Sequence, residues 1–413
     1  MRQTDHTEDT ARVRRRLTSI LFAGVALGAT AYIAAVTVST LAADEILGSA
    51  TLSGVPSATA TLGTALGATL LTRSVVRRGR RPGLVAGYAT GVIGCGLAIV
   101  AFGITSFPLL LLGMALLGLG NASNHLARYA AAEMYPEDRR GAALGLVVWA
   151  GTVGSVLGPA LLQPWGRVAL DMGRSELAGG FLVGLVFLAV ALGLYLIVLR
   201  PDPATLALDR PDPEQGAPAA LGPAFRLPMV RVALTAMIAG QVVMVMIMTS
   251  TPLHIHHHGS DLGIVGLVMS AHTLGMFALS PLTGRLADRW GAIRVILLGM
   301  ALLGLSAFGA AAGPSESTAW LVAVLFALGY GWNLAFVAGS SLLTVGVGSE
   351  IRSRLQGRVD SLTWGSSALA SVSSGVIYQA TDYTMISVIG LLLLAVPAYV
   401  VLRNRKAPVA VGA

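Results

Sequence analysis

Soft metal ligands recur at helical spacing in two successive apolar segments of the chain. Three residues separate Met244 from Met248, and three separate His272 from Met276. Side chains four positions apart share a helix face, with their β-carbons about 5–6 Å apart. Thioethers and neutral imidazole suit copper(I), whereas magnesium, calcium and manganese prefer oxygen ligands. The spacing therefore predicts a copper(I) site that two neighbouring membrane helices form together.

Methionine has an alternative role in ordinary packing, because its flexible side chain fills irregular gaps in a core. The chain has 13 methionines, and we assign Met246 and Met269 to packing. His272 differs, since an imidazole in the middle of a membrane span needs a partner or a function. Zinc more often takes several imidazoles, thiolates or carboxylates, so methionine favours copper. The sequence leaves zinc, nickel and cobalt open.

A histidine-rich segment connects the two apolar segments and should face the outside. It contains His254, His256, His257 and His258, followed by Asp261. Imidazoles beside a carboxylate could collect a metal ion at the mouth or respond to external pH. The alternative is that these side chains bond only water and lipid headgroups.

The composition places these helices in a lipid bilayer. The 413 residues are 54% hydrophobic and 12% charged, and the mean hydropathy is +0.74. A spanning helix needs roughly 20 mostly apolar residues, and the sequence contains twelve such stretches. We therefore predict an all-α membrane protein with twelve transmembrane helices.

Basic residues fix the expected orientation, because cytoplasmic loops retain arginine and lysine. Among the 28 lysines and arginines, only Arg167 and Arg174 fall on the opposite side of the predicted spans. We expect both termini in the cytoplasm and a multi-pass protein of the cytoplasmic (inner) membrane. Topology thus accounts for the net charge of +8, and we expect no nucleic-acid partner.

The chain divides into two related halves. Residues 200–227 are rich in proline and aspartate, which predicts a cytoplasmic linker between six-helix halves at 1–199 and 228–413. The sequence GRLADRWGAIR, which begins at Gly284, has a counterpart after the second span, where Arg77 and Gly79 match Arg289 and Gly291. Two parallel repeats of six helices are typical of transporters.

Over nearly its whole length the chain resembles the major facilitator superfamily. GRLADRWGAIR is similar to the loop motif of that superfamily, which latches the two halves during alternating access. The resemblance implies a conformational latch at Gly284, Asp288, Arg289, Gly291 and Arg77. The first-half copy departs from the motif, because Thr72 replaces its glycine and Val76 replaces its aspartate.

The paired MxxxM and HxxxM motifs resemble those of the bacterial CcoA-like copper transporters, the CalT family. His272 follows Met248 by 24 residues, as that resemblance requires. It implies copper import across the cytoplasmic membrane, with Met244, Met248, His272 and Met276 as the positions that handle copper.

Other polar residues in the predicted spans are candidates for a substrate cavity. They are Asn121, Asn124, His125 and Asn333. The alternative is hydrogen bonding between helices. The predicted span interiors contain no carboxylate, which weighs against a proton-coupled drug exporter. Gly154-x3-Gly158-Pro159 is similar to an antiporter motif, but its small residues also serve ordinary helix packing.

We therefore expect a secondary transporter of copper and not an enzyme. We expect no cofactor, because copper is the substrate, and no direct use of ATP, because the sequence has no P-loop. The expected partners are the transported ion and the bilayer, and the expected state is a monomer. Two alternatives stay open, namely proton-coupled efflux of drugs or other small molecules and a non-transporting copper sensor or assembly factor. The single cysteine, Cys95, excludes a CxxC metal site.

Overall fold

The computed structural model describes residues 2–135, 137–206, 222–314, 317–343 and 349–404. Within these ranges all regular elements are helices, and no strand occurs. Helices satisfy their backbone hydrogen bonds internally, which an apolar bilayer requires. The all-α prediction is confirmed.

Among the described residues of the first half there are seven α-helices. They are α1 (Arg2–Leu47), α2 (Val55–Arg78), α3 (Arg80–Gly103), α4 (Phe107–Glu133), α5 (Glu137–Ala160), α6 (Leu162–Asp171) and α7 (Ala178–Ile197). Pro159 lies next to the end of α5, and proline removes a backbone donor from the helix ladder. We therefore treat α5 and α6 as one interrupted span.

The part of the second half that the structure describes contains eight α-helices. They are α8 (Pro228–His257), α9 (Leu262–Phe277), α10 (Ser280–Trp290), α11 (Ala292–Ala312), α12 (Thr318–Leu342), α13 (Ser349–Ala380), α14 (Tyr383–Leu393) and α15 (Ala395–Asn404). Pro281 stands at the start of α10 and Pro397 near the start of α15. The pairs α9–α10 and α14–α15 are therefore also interrupted spans.

With those pairs joined, the helices of the described residues give twelve spans, six in each half. In the described part of the chain, nine of them are long and apolar enough to cross a membrane by length and composition. The other three are α2, α5 and α13, with 24, 24 and 32 residues. This agrees with the predicted fold of twelve helices in two halves, and the bounds predicted for the halves stay a prediction.

The chain forms two compact units. Unit 1 consists of Met1–Leu47 with Thr59–Glu214, and unit 2 consists of Gly48–Ala58 with Gln215–Ala413. Of the predicted linker, residues 207–221 lie outside the described residues. The described part includes short 3-10 helices at Pro203–Leu206 and Ala224–Arg226.

In unit 1, the GxxxG pair of α5 packs against α1. A β-carbon at Gly154 would lie 2.7 Å from the amide nitrogen of Thr30, and one at Gly158 would lie 2.6 Å from its carbonyl oxygen. Only glycine allows two helix backbones to approach so closely. The antiporter-like sequence therefore makes a helix contact.

In unit 2, α9 packs closely on α12. A β-carbon at Gly329 would lie 3.0 Å from the amide nitrogen of Met276, and one at Gly275 would lie 3.1 Å from the amide nitrogen of Tyr330. By contrast, α8 and α9 make few direct contacts, and α12 packs against both. The sequence suggested that α8 and α9 approach each other directly, but α12 joins them.

Candidate functional site

The two methionines of α8 share a helix face with Gln241. Met244 is 2% exposed, and Met248 is partly buried. The Gln241 carbonyl oxygen accepts a 2.7 Å hydrogen bond from Trp332 Nε1 on α12. Its amide nitrogen donates to Ser367 Oγ on α13 at 2.9 Å. Gln241 thus links the methionine face of α8 to α12 and α13.

His272 lies on α9 and is fully buried, with 0% exposure. Its Nδ1 atom is 2.9 Å from the carbonyl oxygen of Leu325 on α12. Because a carbonyl only accepts hydrogen bonds, we place the imidazole hydrogen on Nδ1, which leaves a lone pair on Nε2. That Nε2 atom is buried and has no hydrogen-bond partner among the described residues. Met276, one turn further along α9, is 9% exposed.

The contacts between α8 and α12 show which residues of one helix lie opposite which residues of the other. Gln241 bonds Trp332, and Met237 packs on Gly339, where a β-carbon would lie 3.2 Å from the methionine sulfur. The residue number rises along α8 as it falls along α12, so the two helices are antiparallel. Met244 and Met248 follow Gln241 by one and two turns of α8. The antiparallel register therefore puts them opposite residues 325–329 of α12.

The same turn of α12 holds the histidine and methionine of α9. Leu325 accepts the His272 hydrogen bond, and a β-carbon at Gly329 would lie 3.2 Å from Met276 Cγ. His272 and Met276 thus lie beside one turn of α12, and the antiparallel register of α8 puts Met244 and Met248 at about the level of that turn.

Other metal-binding arrangements are missing from the part of the chain that the structure describes. No group of three or more histidine, cysteine, aspartate or glutamate side chains is close enough there to hold a metal ion. Cys95 is buried in α3 as a free thiol.

The histidine-rich segment continues α8 and is not a turn between helices. His254, His256 and His257 belong to the last turns of α8, and His258 caps it. His254 is buried, and its ring stacks on Tyr383 with centroids 4.4 Å apart. The other three histidines are exposed. Their role in collecting metal stays a prediction.

The amide residues of α4 take part in a hydrogen-bond chain within unit 1. Asn124 Nδ2 donates to Asn121 Oδ1 at 2.9 Å, and Asn121 Nδ2 donates to Thr64 Oγ1 at 3.4 Å. Tyr88 of α3 donates to Asn124 Oδ1 at 2.7 Å. His125 beside them is partly buried. Two of these hydrogen bonds join α4 to other helices. Such bonds are the alternative that the sequence left open to a role of Asn121 and Asn124 in a substrate cavity.

Asn333 of α12 forms hydrogen bonds with residues at the break between α9 and α10. Its Nδ2 donates to the Met276 carbonyl at 2.7 Å and to Ser280 Oγ at 2.8 Å, and Thr283 Oγ1 donates to its Oδ1 at 2.6 Å. A backbone carbonyl at a helix break in a membrane needs such a partner. Both amide hydrogens of Asn333 are used, so they are not free for a substrate.

The predicted latch residues lie at helix ends. Arg289 is exposed at the end of α10, and Gly291 joins α10 to α11 with a φ of +85°, a conformation that favours glycine. Arg77 is exposed at the end of α2. Gly284 is partly buried within α10, and the side chain of Asp288 lies outside the described residues. The latch stays a prediction.

A charged cluster at the α2–α3 junction was missed by the sequence reasoning. Arg80 forms an ion pair with Glu133 of α4, and its Nε donates to that carboxylate at 2.9 Å. The backbone amides of Arg80 and Arg81 donate to the Asp202 carboxylate at 3.2 and 3.1 Å. Two arginines at a helix N-terminus oppose the helix dipole. That was the available signal that an acidic partner must lie nearby.

An aromatic cluster surrounds the Gln241 amide. The Trp332 ring stacks on Phe336 with centroids 4.8 Å apart and meets Phe277 edge-on at 6.1 Å. Stacked rings beside an amide are the type of surface that a planar heterocycle can share.

Comparison with known proteins places the chain in a family. The model of the Major Facilitator Superfamily matches residues 20–263 and 244–412. The uncharacterized MFS-type transporter YdeG of Bacillus subtilis is 36% identical over 394 residues, which cover 94% of this chain and 90% of YdeG. The riboflavin transporter RfnT of Brucella anthropi is 28% identical, with 91% of this chain and 92% of RfnT covered.

Solved structures share the fold at low sequence identity. The nucleoside transporter NupG matches with a TM-score of 0.73 and 15% identity, over 96% of this chain and all of that one. A bacterial homologue of the lysosomal transporter Spinster gives a TM-score of 0.72 and 16% identity, over 95% of this chain and 97% of that one. The family match, the relatives and the membrane-spanning helices of the described residues show that the chain is a multi-pass membrane protein that belongs to the major facilitator superfamily of transporters.

Proposed function

We propose that this transporter takes up copper(I) through Met244, Met248, His272 and Met276. The observation that carries the proposal is the buried Nε2 of His272, which has no hydrogen-bond partner among the described residues. A polar atom left unpaired at membrane depth costs free energy. A bound ion at this atom offsets that cost.

The surroundings of His272 support its use as a ligand. A metal-bound histidine usually donates its other ring N–H to a carbonyl or carboxylate, which fixes the tautomer. The Leu325 carbonyl occupies that position here. Three thioethers at the same depth supply soft ligands of the type that copper(I) accepts.

The remaining parts of the proposal follow from the sequence pattern. Alternating access moves the ion across the cytoplasmic membrane, with both termini in the cytoplasm. The direction, uptake, rests on the resemblance to the CcoA-like transporters. The exposed histidines at the end of α8 collect copper at the outer mouth.

A second candidate substrate is a planar heterocycle such as riboflavin. The observations that favour it are the Trp332 and Phe336 rings beside Gln241 and the 28% identity to RfnT. In this case the rings would stack on the substrate, and Gln241, which is bonded to Trp332 and Ser367, would hold the Trp332 ring in position for that contact.

Parallel uptake assays separate the two candidates. Cells that lack their own copper and riboflavin importers would express the protein and receive radiocopper or labelled riboflavin. We expect copper accumulation that His272→Ala reduces at least about ten-fold, while Trp332→Ala leaves more than half of it. Riboflavin accumulation without copper accumulation would overturn the copper proposal and support the second candidate.

The control variants are Met246→Ala on α8 and Met269→Ala on α9. Both methionines are buried, at 3% and 4% exposure, and neither belongs to the proposed ligand set. Membrane abundance is measured for each variant. If Met269→Ala lowers copper uptake as much as His272→Ala at equal abundance, packing and not coordination explains the loss.

A further inference from the structure

Helix α4 carries a polar face that copper transport does not use. Asn121, Asn124, His125 and Arg128 follow one another at intervals of three, one and three residues, so they lie on one side of the helix. All four are partly buried. Polar and charged groups inside a membrane span are costly and usually mark a function.

The two asparagines of this face also take part in packing, because Asn121 bonds Thr64 of α2 and Asn124 accepts a hydrogen bond from Tyr88 of α3. Close backbone contacts join α4 to the same two helices: a β-carbon at Gly118 would lie 2.7 Å from the Ala60 carbonyl carbon of α2, and one at Gly120 would lie 2.8 Å from Gly91 of α3. These contacts and hydrogen bonds involve neither Arg128 nor His125, the residues of the face that are left for a ligand.

Arg128 brings a positive charge to this face without an acidic partner among the described residues. Its Nε atom is buried and has no hydrogen-bond partner there. One terminal nitrogen donates to the Tyr129 hydroxyl at 3.2 Å, and the guanidinium lies 4.9 Å from that ring centroid. Glu133, one turn further on, pairs with Arg80. The guanidinium therefore has donors to spare for an anion.

The neighbouring side chains add polar groups around that charge. His125 is one turn from Arg128, and no hydrogen bond joins its ring to another described residue. Asn124 and Asn121 already bond each other, which orients their amides. A guanidinium presents a planar fork that matches carboxylate and phosphate oxygens.

We infer that this face of α4 binds the carboxylate or phosphate group of a small organic anion, with Arg128 as the main contact and His125 as a second donor. The inference is independent of the copper proposal, because it concerns another helix and another unit. It adds a second ligand class to the protein.

The test uses the purified full-length protein in a neutral maltoside detergent. Thermal unfolding is followed with citrate or inorganic phosphate and compared with chloride at equal ionic strength. We expect a saturable rise in the unfolding temperature with at least one of the two anions. Arg128→Gln should weaken the apparent affinity at least about ten-fold, because it removes a charged hydrogen bond, and Arg128→Lys should retain part of it.

The matched control is Arg16→Gln, which removes the same charge from an exposed position of α1 and should keep the full response. No stabilisation of the wild-type protein by either anion would overturn the inference, whatever the variants do. An equal response of Arg128→Gln and wild type would also overturn it. If only added phosphatidylglycerol stabilises the protein, the face binds lipid headgroups and the assignment to a soluble anion is wrong.

Discussion

Replacing Gly329 by alanine probes the packing that holds the proposed copper ligands. The new β-carbon would lie 3.0 Å from the Met276 amide nitrogen and would contact the His272 carbonyl oxygen. Both are backbone atoms of α9, so no side chain can move aside. The two helices must separate instead.

The expected cost follows from two opposing effects. Overpacking a close contact typically costs about 1–3 kcal/mol, and the higher helix propensity of alanine returns about 1 kcal/mol. We expect a net destabilisation of about 1 kcal/mol, seen as a lower unfolding temperature in detergent. Copper uptake should fall further than stability alone explains, because His272 and Met276 move with α9.

Gly365→Ala is the matched control. Gly365 lies on α13 in the same unit, and no atom lies within 4 Å of the position of its β-carbon. This variant should unfold at or above the wild-type temperature and keep its uptake. If Gly329→Ala behaves like Gly365→Ala in both assays, the close approach of α9 and α12 is wrong.

Three further predictions follow from the contacts described above. Asn333→Leu should destabilise the protein by about 2 kcal/mol, since it removes three hydrogen bonds worth roughly 0.6 kcal/mol each in membranes, and denaturation in mixed micelles measures the loss; an unchanged midpoint would contradict the assigned bonds. A double-mutant cycle of Arg80→Gln and Glu133→Gln should give a coupling of up to about 1 kcal/mol, because the pair is partly exposed; zero coupling would remove its structural role. Silver(I) should compete with copper for uptake while magnesium should not, because soft ligands select soft ions; equal competition by both ions would exclude the thioether site.

The spans and the helix-packing glycines could be predicted from the sequence. Long apolar runs define membrane helices directly, and the spacing of Gly154 and Gly158 indicated a close helix contact. The interrupted spans were foreseeable only in part. Proline marks where a helix ladder is weakened, but only the structure shows that Asn333 bonds the Met276 carbonyl at the break between α9 and α10.

The identity of helix neighbours could not be predicted, because periodicity shows which residues share a face and not what that face meets. For this reason the sequence paired α8 with α9, whereas α12 lies against both. The latch at Arg77 stays a prediction. The ion pair between Arg80 and Glu133, 53 residues apart, could not be predicted for the same reason.

Copper(I) uptake into proteoliposomes containing only the purified protein tests the central proposal most directly. The comparison is wild type, His272→Ala and Met269→Ala at equal protein content. The proposal predicts uptake by the wild-type and Met269→Ala proteins and at least about ten-fold less by His272→Ala. Absence of copper uptake by the wild-type protein, or equal uptake by all three, would contradict it.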